Sequence, residues 1–130
     1  MRRILGLALP VLVILALSGC VQSGPTIVTF QVAHQSTYKI ELTTPEQIQH
    51  VKDLMAGLRK GTIPLGTIVR DDAGVNAPWS WHIDPKTLQF ADQTIEVCDG
   101  LPEHVQDGTL TSDTYCPWSA IPIKLEGPGS

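Results

Sequence analysis

The chain is poor in aromatic residues and in charge. Aromatics make up 5% of its 130 residues and charged side chains 17%, against about 25% charged in an ordinary soluble domain. Cations are the scarcer sign: 9 Lys and Arg stand against 13 Asp and Glu, for a net charge of −4 and a pI near 5.4. That balance excludes a nucleic-acid binder, which needs a basic footprint. The sequence has no run of like charge and no low-complexity tract, so it does not read as intrinsically disordered. No apolar stretch reaches the ~20 residues of a membrane-spanning helix. CxxC, HExxH, GxSxG and phosphate-loop patterns are missing as well, and with them the common metal, hydrolase and nucleotide signatures. The length of 130 residues holds one domain and excludes a multidomain enzyme.

What is present begins at the N-terminus. Arg2 and Arg3 precede Ile4 to Leu17, an apolar run of 14 residues broken only by Gly6 and Pro10. This is the pattern of a secretory signal. The run ends Leu17-Ser18-Gly19-Cys20, which resembles the lipobox of bacterial lipoproteins: an aliphatic residue, two small residues, then Cys. The resemblance implies that residues 1–19 leave as a signal peptide and that the Cys20 thiol takes a diacylglyceryl group. The new amino terminus is then acylated, palmitate being the expected chain. Two or three acyl chains anchor stably where one does not. Residues 20–25 form the lipidated tether of a lipoprotein held on the extracytoplasmic side of the cell envelope, at the cell surface or in the periplasm. Its first partner is the lipid bilayer. Losing Arg2 and Arg3 leaves 7 basic against 13 acidic side chains, a net charge of −6.

With Cys20 assigned to lipid, Cys98 and Cys116 remain, in a compartment that favours oxidation. A bridge between them closes a loop of 18 residues, worth about 3 kcal/mol in the chain-entropy description.

Thr26 to Val32 is rich in β-branched residues, and Thr37 to Leu42 places Tyr38, Ile40 and Leu42 on one face. The two read as a hairpin. Thr44 as cap, Pro45 at the first helical position and Gln47 as the far arm of a capping box start a helix. Ile48, Val51, Leu54, Met55 and Leu58 recur at helical spacing, and Gly61 is expected to end the helix after about 15 residues. Further strands are expected at 66–70, 79–83, 88–91, 94–98 and 121–125, the last at an edge because of Pro122. A helical turn is expected at 103–106. The sum is α+β: an antiparallel sheet of five or six strands, one long amphipathic helix packed on one face, and one disulfide. This single globular domain covers residues 26–126, followed by a tail at 127–130.

Three segments stand out: Asn76-Ala77-Pro78-Trp79-Ser80-Trp81-His82-Ile83-Asp84-Pro85, Glu96-Val97-Cys98-Asp99-Gly100 and Cys116-Pro117-Trp118-Ser119. Together they resemble the N-terminal domain of the calmodulin-binding protein BP-seventy-four, a domain also found in small bacterial secreted proteins. The resemblance covers about residues 26–126 and implies no catalytic activity. The basic amphipathic helix of a calmodulin target is missing.

Two constellations bear on chemistry. His82 and Asp84 are two residues apart and share a strand face, and Glu96 facing them from a neighbouring strand completes a metal or acid–base group. The structural alternative has both closing a strand end, with Asp84 fixing the turn before Pro85. Trp79, Trp81 and Trp118 are three of only seven aromatics. Exposed, they form a platform for a glycan or a hydrophobic partner. Buried, they complete a small core beside the disulfide, with His82 at its rim. Asp71, Asp72 and Asn76 around Gly74 read as a solvated turn, since the spacing of a calcium loop is absent. The expectation is a non-enzymatic, membrane-anchored envelope lipoprotein, a small binding or interaction module whose partner is an envelope protein or glycan. No cofactor or metal and no nucleic acid is expected. The alternative is a small metal-dependent or acid–base hydrolase using His82, Asp84 and Glu96. Trp79, Trp81, His82, Asp84, Glu96 and Trp118 are the candidate binding residues.

Overall fold

In the computed structural model, which describes residues 23–130, the alternating apolar pattern forms β1 (Thr26–Val32) and β2 (Ser36–Leu42). They pair as an antiparallel hairpin from Thr26↔Leu42 to Val32↔Ser36. Ala33 and His34, both at positive φ, make the turn. Their conformation matches the right-handed twist of the flanking strands. β7 (Ile121–Glu126) pairs with the other side of β1, giving the order β2-β1-β7. Pro122 does lie on an edge strand, and the register shift beside Thr29 leaves Ile123 without a partner.

A second sheet forms around β3 (Ile63–Arg70). It pairs with β4 (Trp81–Ile83) and β5 (Gln89–Ala91) at its two ends, and with β6 (Thr114–Tyr115) at its middle. Ile68 faces Ile83 while Leu65 faces Gln89, so six steps along the partner segment answer three along β3. The excess is the 3₁₀ turn Pro85–Thr87, capped by the Asp84 carboxylate on the Lys86 N–H at 3.0 Å. The turn presses on Gly66, where a Cβ would overlap Ile83 Cγ2 and come within 3.2 Å of Thr87 Oγ1.

The fold is α+β with antiparallel sheets, but the strands divide into sheets of three and four instead of forming one sheet. The expected strand at 94–98 is a 3₁₀ turn, Glu96–Cys98, closed by Asp99 N–H on the Glu96 carbonyl at 3.0 Å. The disulfide holds this segment against Cys116, whose N–H reaches the Cys98 carbonyl at 2.7 Å, so it is not laid against a strand. Trp79 precedes its strand instead of lying in it.

The helix α1 spans Pro45–Met55, 11 residues, and is not long. Its start follows the sequence: Thr44 Oγ1 accepts from the Gln47 N–H at 3.1 Å and Gln47 Oε1 from the Thr44 N–H at 3.3 Å. Its end does not. Gly57 at φ 95°, with Leu58 N–H on the Asp53 carbonyl and Gly57 N–H on that of Leu54, forms a left-handed stop well before Gly61. Nor does α1 pack along one sheet face. It spans the side between the sheets: Gln47 Nε2 donates to the Pro85 carbonyl at 3.0 Å, and the His50 ring stacks on Phe90 of β5 at 4.2 Å. Only Val51 is fully buried. A short helix α2 (Pro102–Asp107) stands near the other edge, where Glu103 accepts from Ser36 and the Val105 carbonyl from Arg70 at 2.9 Å. The Asp107 carboxylate at its end accepts from Thr109 and is held below its ordinary pKa for that reason.

One core joins the two sheets. Tyr38 of β2, Trp81 of β4 and Tyr115 of β6 meet with ring centroids 5.2 to 5.9 Å apart, and Phe30 stacks on Tyr38. Asn76, 1% exposed, stitches the seam: its Oδ1 accepts from the Lys39 N–H of β2 at 2.7 Å and its Nδ2 donates to the Trp81 carbonyl of β4 at 2.8 Å. The Tyr115 hydroxyl donates to the Gly100 carbonyl at 2.8 Å, whereas the Tyr38 hydroxyl and the Trp81 indole N–H have no partner. Burial is the first cause that pushes both tyrosine pKa values up, and the charges of Tyr38, Asp99 and Glu103 add to it at Tyr115.

Two outcomes are expected. Asn76→Ala leaves a buried N–H and a buried carbonyl unpaired and should cost about 2–4 kcal/mol in denaturant unfolding; an unchanged midpoint would contradict this role. The raised tyrosine pKa values make stability full below pH 10, the ordinary tyrosine value, and falling above it, because the unfolded chain releases phenolic protons that the folded chain keeps. Tyr38→Phe should flatten that alkaline loss without lowering stability at pH 7, since its hydroxyl bonds to nothing.

A candidate binding face

Backbone geometry decides which of the sequence-selected residues meet. Trp79 and Trp81 lie 6.5 Å apart between ring centroids. Trp81 is buried in the seam, and half-buried Trp79 donates its indole N–H to the Thr37 carbonyl at 2.8 Å. Trp118 does not join them. It is 43% exposed, with its backbone N–H on Asp99 Oδ1 at 2.9 Å and its indole N–H on Thr94 Oγ1 at 2.6 Å. The three tryptophans therefore do not gather at the disulfide. The Cys98–Cys116 bridge, with Cα atoms 5.0 Å apart, packs instead with Ile63 and Leu65.

His82 points away from its buried strand neighbours Trp81 and Ile83. Its Nδ1 bonds to the Asp72 carbonyl at 2.7 Å, with Asp72 Oδ1 at 3.8 Å, so it sits at the rim of the Asp71–Gly74 turn and not of a tryptophan cluster. Asp84 caps the turn at Lys86, as its structural alternative anticipated. Glu96 is exposed on the disulfide segment. Among the described residues no group of three or more His, Cys, Asp or Glu comes together to hold a metal. Asn76 is turned inward to the seam, and Asp72 accepts from the Gly74 N–H at 3.0 Å. The signal peptide expected at residues 1–19 and the lipidated Cys20 lie outside the described residues.

The surface feature that the sequence did not single out is apolar. The exposed large hydrophobic side chains among the described residues are Met55, Leu58, Ile95, Val97, Trp118, Ile121 and Ile123. They come from three segments: the end of α1, the disulfide segment, and the approach to β7 with its first residues. Leu54 and Leu58 line a groove of about 310 Å³ with Thr62, Ala120, Ile121 and Pro122. Next to it Ile63, Thr94 and Trp118 line a second hollow of about 340 Å³. Thr62 and Ile63 join the two, and the Trp118–Thr94 hydrogen bond ties the β7 approach to the disulfide segment. Arg59 lines the first groove, and Lys60 a third with His50, Phe90 and Asp92.

Each segment is exposed for a local reason. Gly57 ends α1 early and turns Leu58 outward. Ile95 precedes and Val97 lies in the 3₁₀ turn that ends at the bridged Cys98, outside either sheet. The register shift leaves Ile123 unpaired. Leu58 reads from sequence as helix stripe and Ile95 and Val97 as strand, so the signal that could have found them was the early Gly57 and the Cys98 pairing. Small-molecule sites are concave and enclose most of their ligand, whereas these side chains stand exposed along three segments.

The family of the BP-seventy-four N-terminal domain matches residues 24–127 of the chain. No curated protein and no solved structure matches it.

The bridge sets Trp118 through Cys116 and Ile95 through Cys98. Cys116→Ala should therefore cost about 3 kcal/mol and red-shift the Trp118 emission, read as a lower melting temperature together with a changed fluorescence maximum. Two thiols that alkylate without reductant in the unfolded chain would refute the bridge.

Proposed function

The chain belongs to the family of the BP-seventy-four N-terminal domain, and from that premise we propose that it is a membrane-anchored envelope lipoprotein whose folded domain is a non-enzymatic binding module. One observation carries the binding role: the large apolar side chains left in solvent come from the end of α1, the disulfide segment and the start of β7, linked through Thr62, Ile63, Thr94 and Trp118. Leaving so much apolar area wet is unfavourable at roughly 25 cal/mol per Å², and a partner that covers it removes that cost. The lipobox Leu17-Ser18-Gly19-Cys20 supports the anchor and the extracytoplasmic location. His82 is held at the Asp71–Gly74 turn, Asp84 caps the turn at Lys86 and Glu96 stands exposed on the disulfide segment, so the three residues of a hydrolase are each set by separate local contacts, which favours the binding role over catalysis.

Mass spectrometry of the membrane fraction should find the mature N-terminal peptide beginning at Cys20 with two or three acyl chains. Cys20→Ala should remain unprocessed or shift out of that form. A Cys20→Ala chain that is still cleaved after Gly19 and still membrane-bound would overturn the lipoprotein reading.

A further inference from the structure

The tether is shorter than its sequence suggests. Thr26 Oγ1 donates to the Pro128 carbonyl, and Gly127 sits so close to the Pro25 carbonyl and the Thr26 Cα that no Cβ would fit there. The C-terminal tail thus pins Pro25 to the domain. Only Val21, Gln22, Ser23 and Gly24 separate it from Cys20, a reach of at most about 17 Å for an extended chain. A domain of this size has a radius of gyration of about 13 Å. A lipidated Cys20 therefore holds the domain against the bilayer while leaving it free to roll onto one side.

β7 runs antiparallel beside the strand that the tether enters, with Glu126 opposite Ile27 at the tether end and Ile121 opposite Gln31 at the far end, so a domain lying along β7 brings both ends to the same surface. Ile123 and Ile121 are 48% and 46% exposed, and Leu58, 58% exposed, lies across the groove from Ile121. Cations flank them. Arg59 and Lys60 follow Leu58 and form no ion pair among the described residues, although Lys60 shares a groove with Asp53 and Asp92, and Lys124 follows Ile123 and pairs with Glu126 at 3.5 Å. Aliphatic side chains set among Lys and Arg, with a tryptophan beside them, suit the headgroup layer of a membrane.

Resting on the lipid-anchored reading above, we propose that this face, built on Leu58, Ile121 and Ile123, lies on the lipid surface itself, so that the acyl anchor and the domain side grip the same bilayer. The net charge of −6 expected of the lipidated chain does not set the contact. The local pattern does, with Arg59, Lys60 and Lys124 placed at the phosphates and the aliphatic side chains below them.

The test uses the full lipidated protein in vesicles of phosphatidylethanolamine and phosphatidylglycerol, with and without brominated acyl chains. Trp118 is the reporter, because Trp81 is buried and Trp79 is held at Thr37. The expected result is loss of Trp118 emission with brominated lipid, absent in Trp118→Phe. The loss should be reduced when Leu58, Ile121 and Ile123 are all replaced by Ser, with the protein still vesicle-bound and its disulfide intact. Vesicle-bound protein whose Trp118 emission is indifferent to bromine overturns the proposal alone and leaves the face to a protein partner. Protein that does not sediment with vesicles overturns the anchored reading and this proposal with it.

Discussion

Two edges that ordinary sheets leave to water, β2 of the first sheet and β4 of the second, are joined by one buried amide. Asn76 accepts from one and donates to the other, because the asparagine amide carries an acceptor oxygen and a separate donor nitrogen on one planar group. The aromatic seam depends on it. Tyr38, Trp81 and Tyr115 reach ring-contact distance only because the strands that carry them are held in this relation. A domain of about a hundred residues with few aromatics has little else of that size to fill its core. The unpartnered Tyr38 hydroxyl and Trp81 N–H show how far packing prevails over polar pairing there, since each carries a desolvation cost of about 1–3 kcal/mol.

The same seam separates the roles of the tryptophans. Trp81 fills the core and Trp79 closes its edge, while Trp118 is left outside, steered by Asp99 and Thr94. The disulfide governs that outside region and has its own small apolar cluster with Ile63 and Leu65. Stability and surface display are thus assigned to different parts of one fold: the seam holds the sheets, and the bridge shapes the face.

In the proposed reading, anchoring and binding are linked by geometry. The pinned Pro25 brings the domain within a short reach of whatever Cys20 is attached to, and a tethered surface meets its target at a high effective concentration. Weak contacts by a few aliphatic side chains suffice under that condition, whereas a freely diffusing domain would need a far larger interface.

The sequence alone determined whatever depends on neighbours along the chain. The hairpin of β1 and β2 follows from the β-branched run at 26–32 and the alternation of Tyr38, Ile40 and Leu42, the start of α1 from Thr44, Pro45 and Gln47, the edge position of β7 from Pro122, and the turn after Asp84 from its short carboxylate. Cysteine parity led to the Cys98–Cys116 bridge once Cys20 was set aside, and the three tryptophan- and cysteine-bearing segments led to the family. Only the tertiary structure decided the rest. Two sheets formed instead of one because β3 takes β4, β5 and β6 along its length and leaves no edge for β1. Asn76, which the sequence places in a polar turn, went to the interior because two unpaired strand edges needed its amide. Residues 94–98 have the composition of a strand, but composition cannot see a crosslink that holds them as a turn. The exposed face joins Leu58, Trp118 and Ile121 through contacts between residues some sixty positions apart, and no local periodicity encodes a contact at that range.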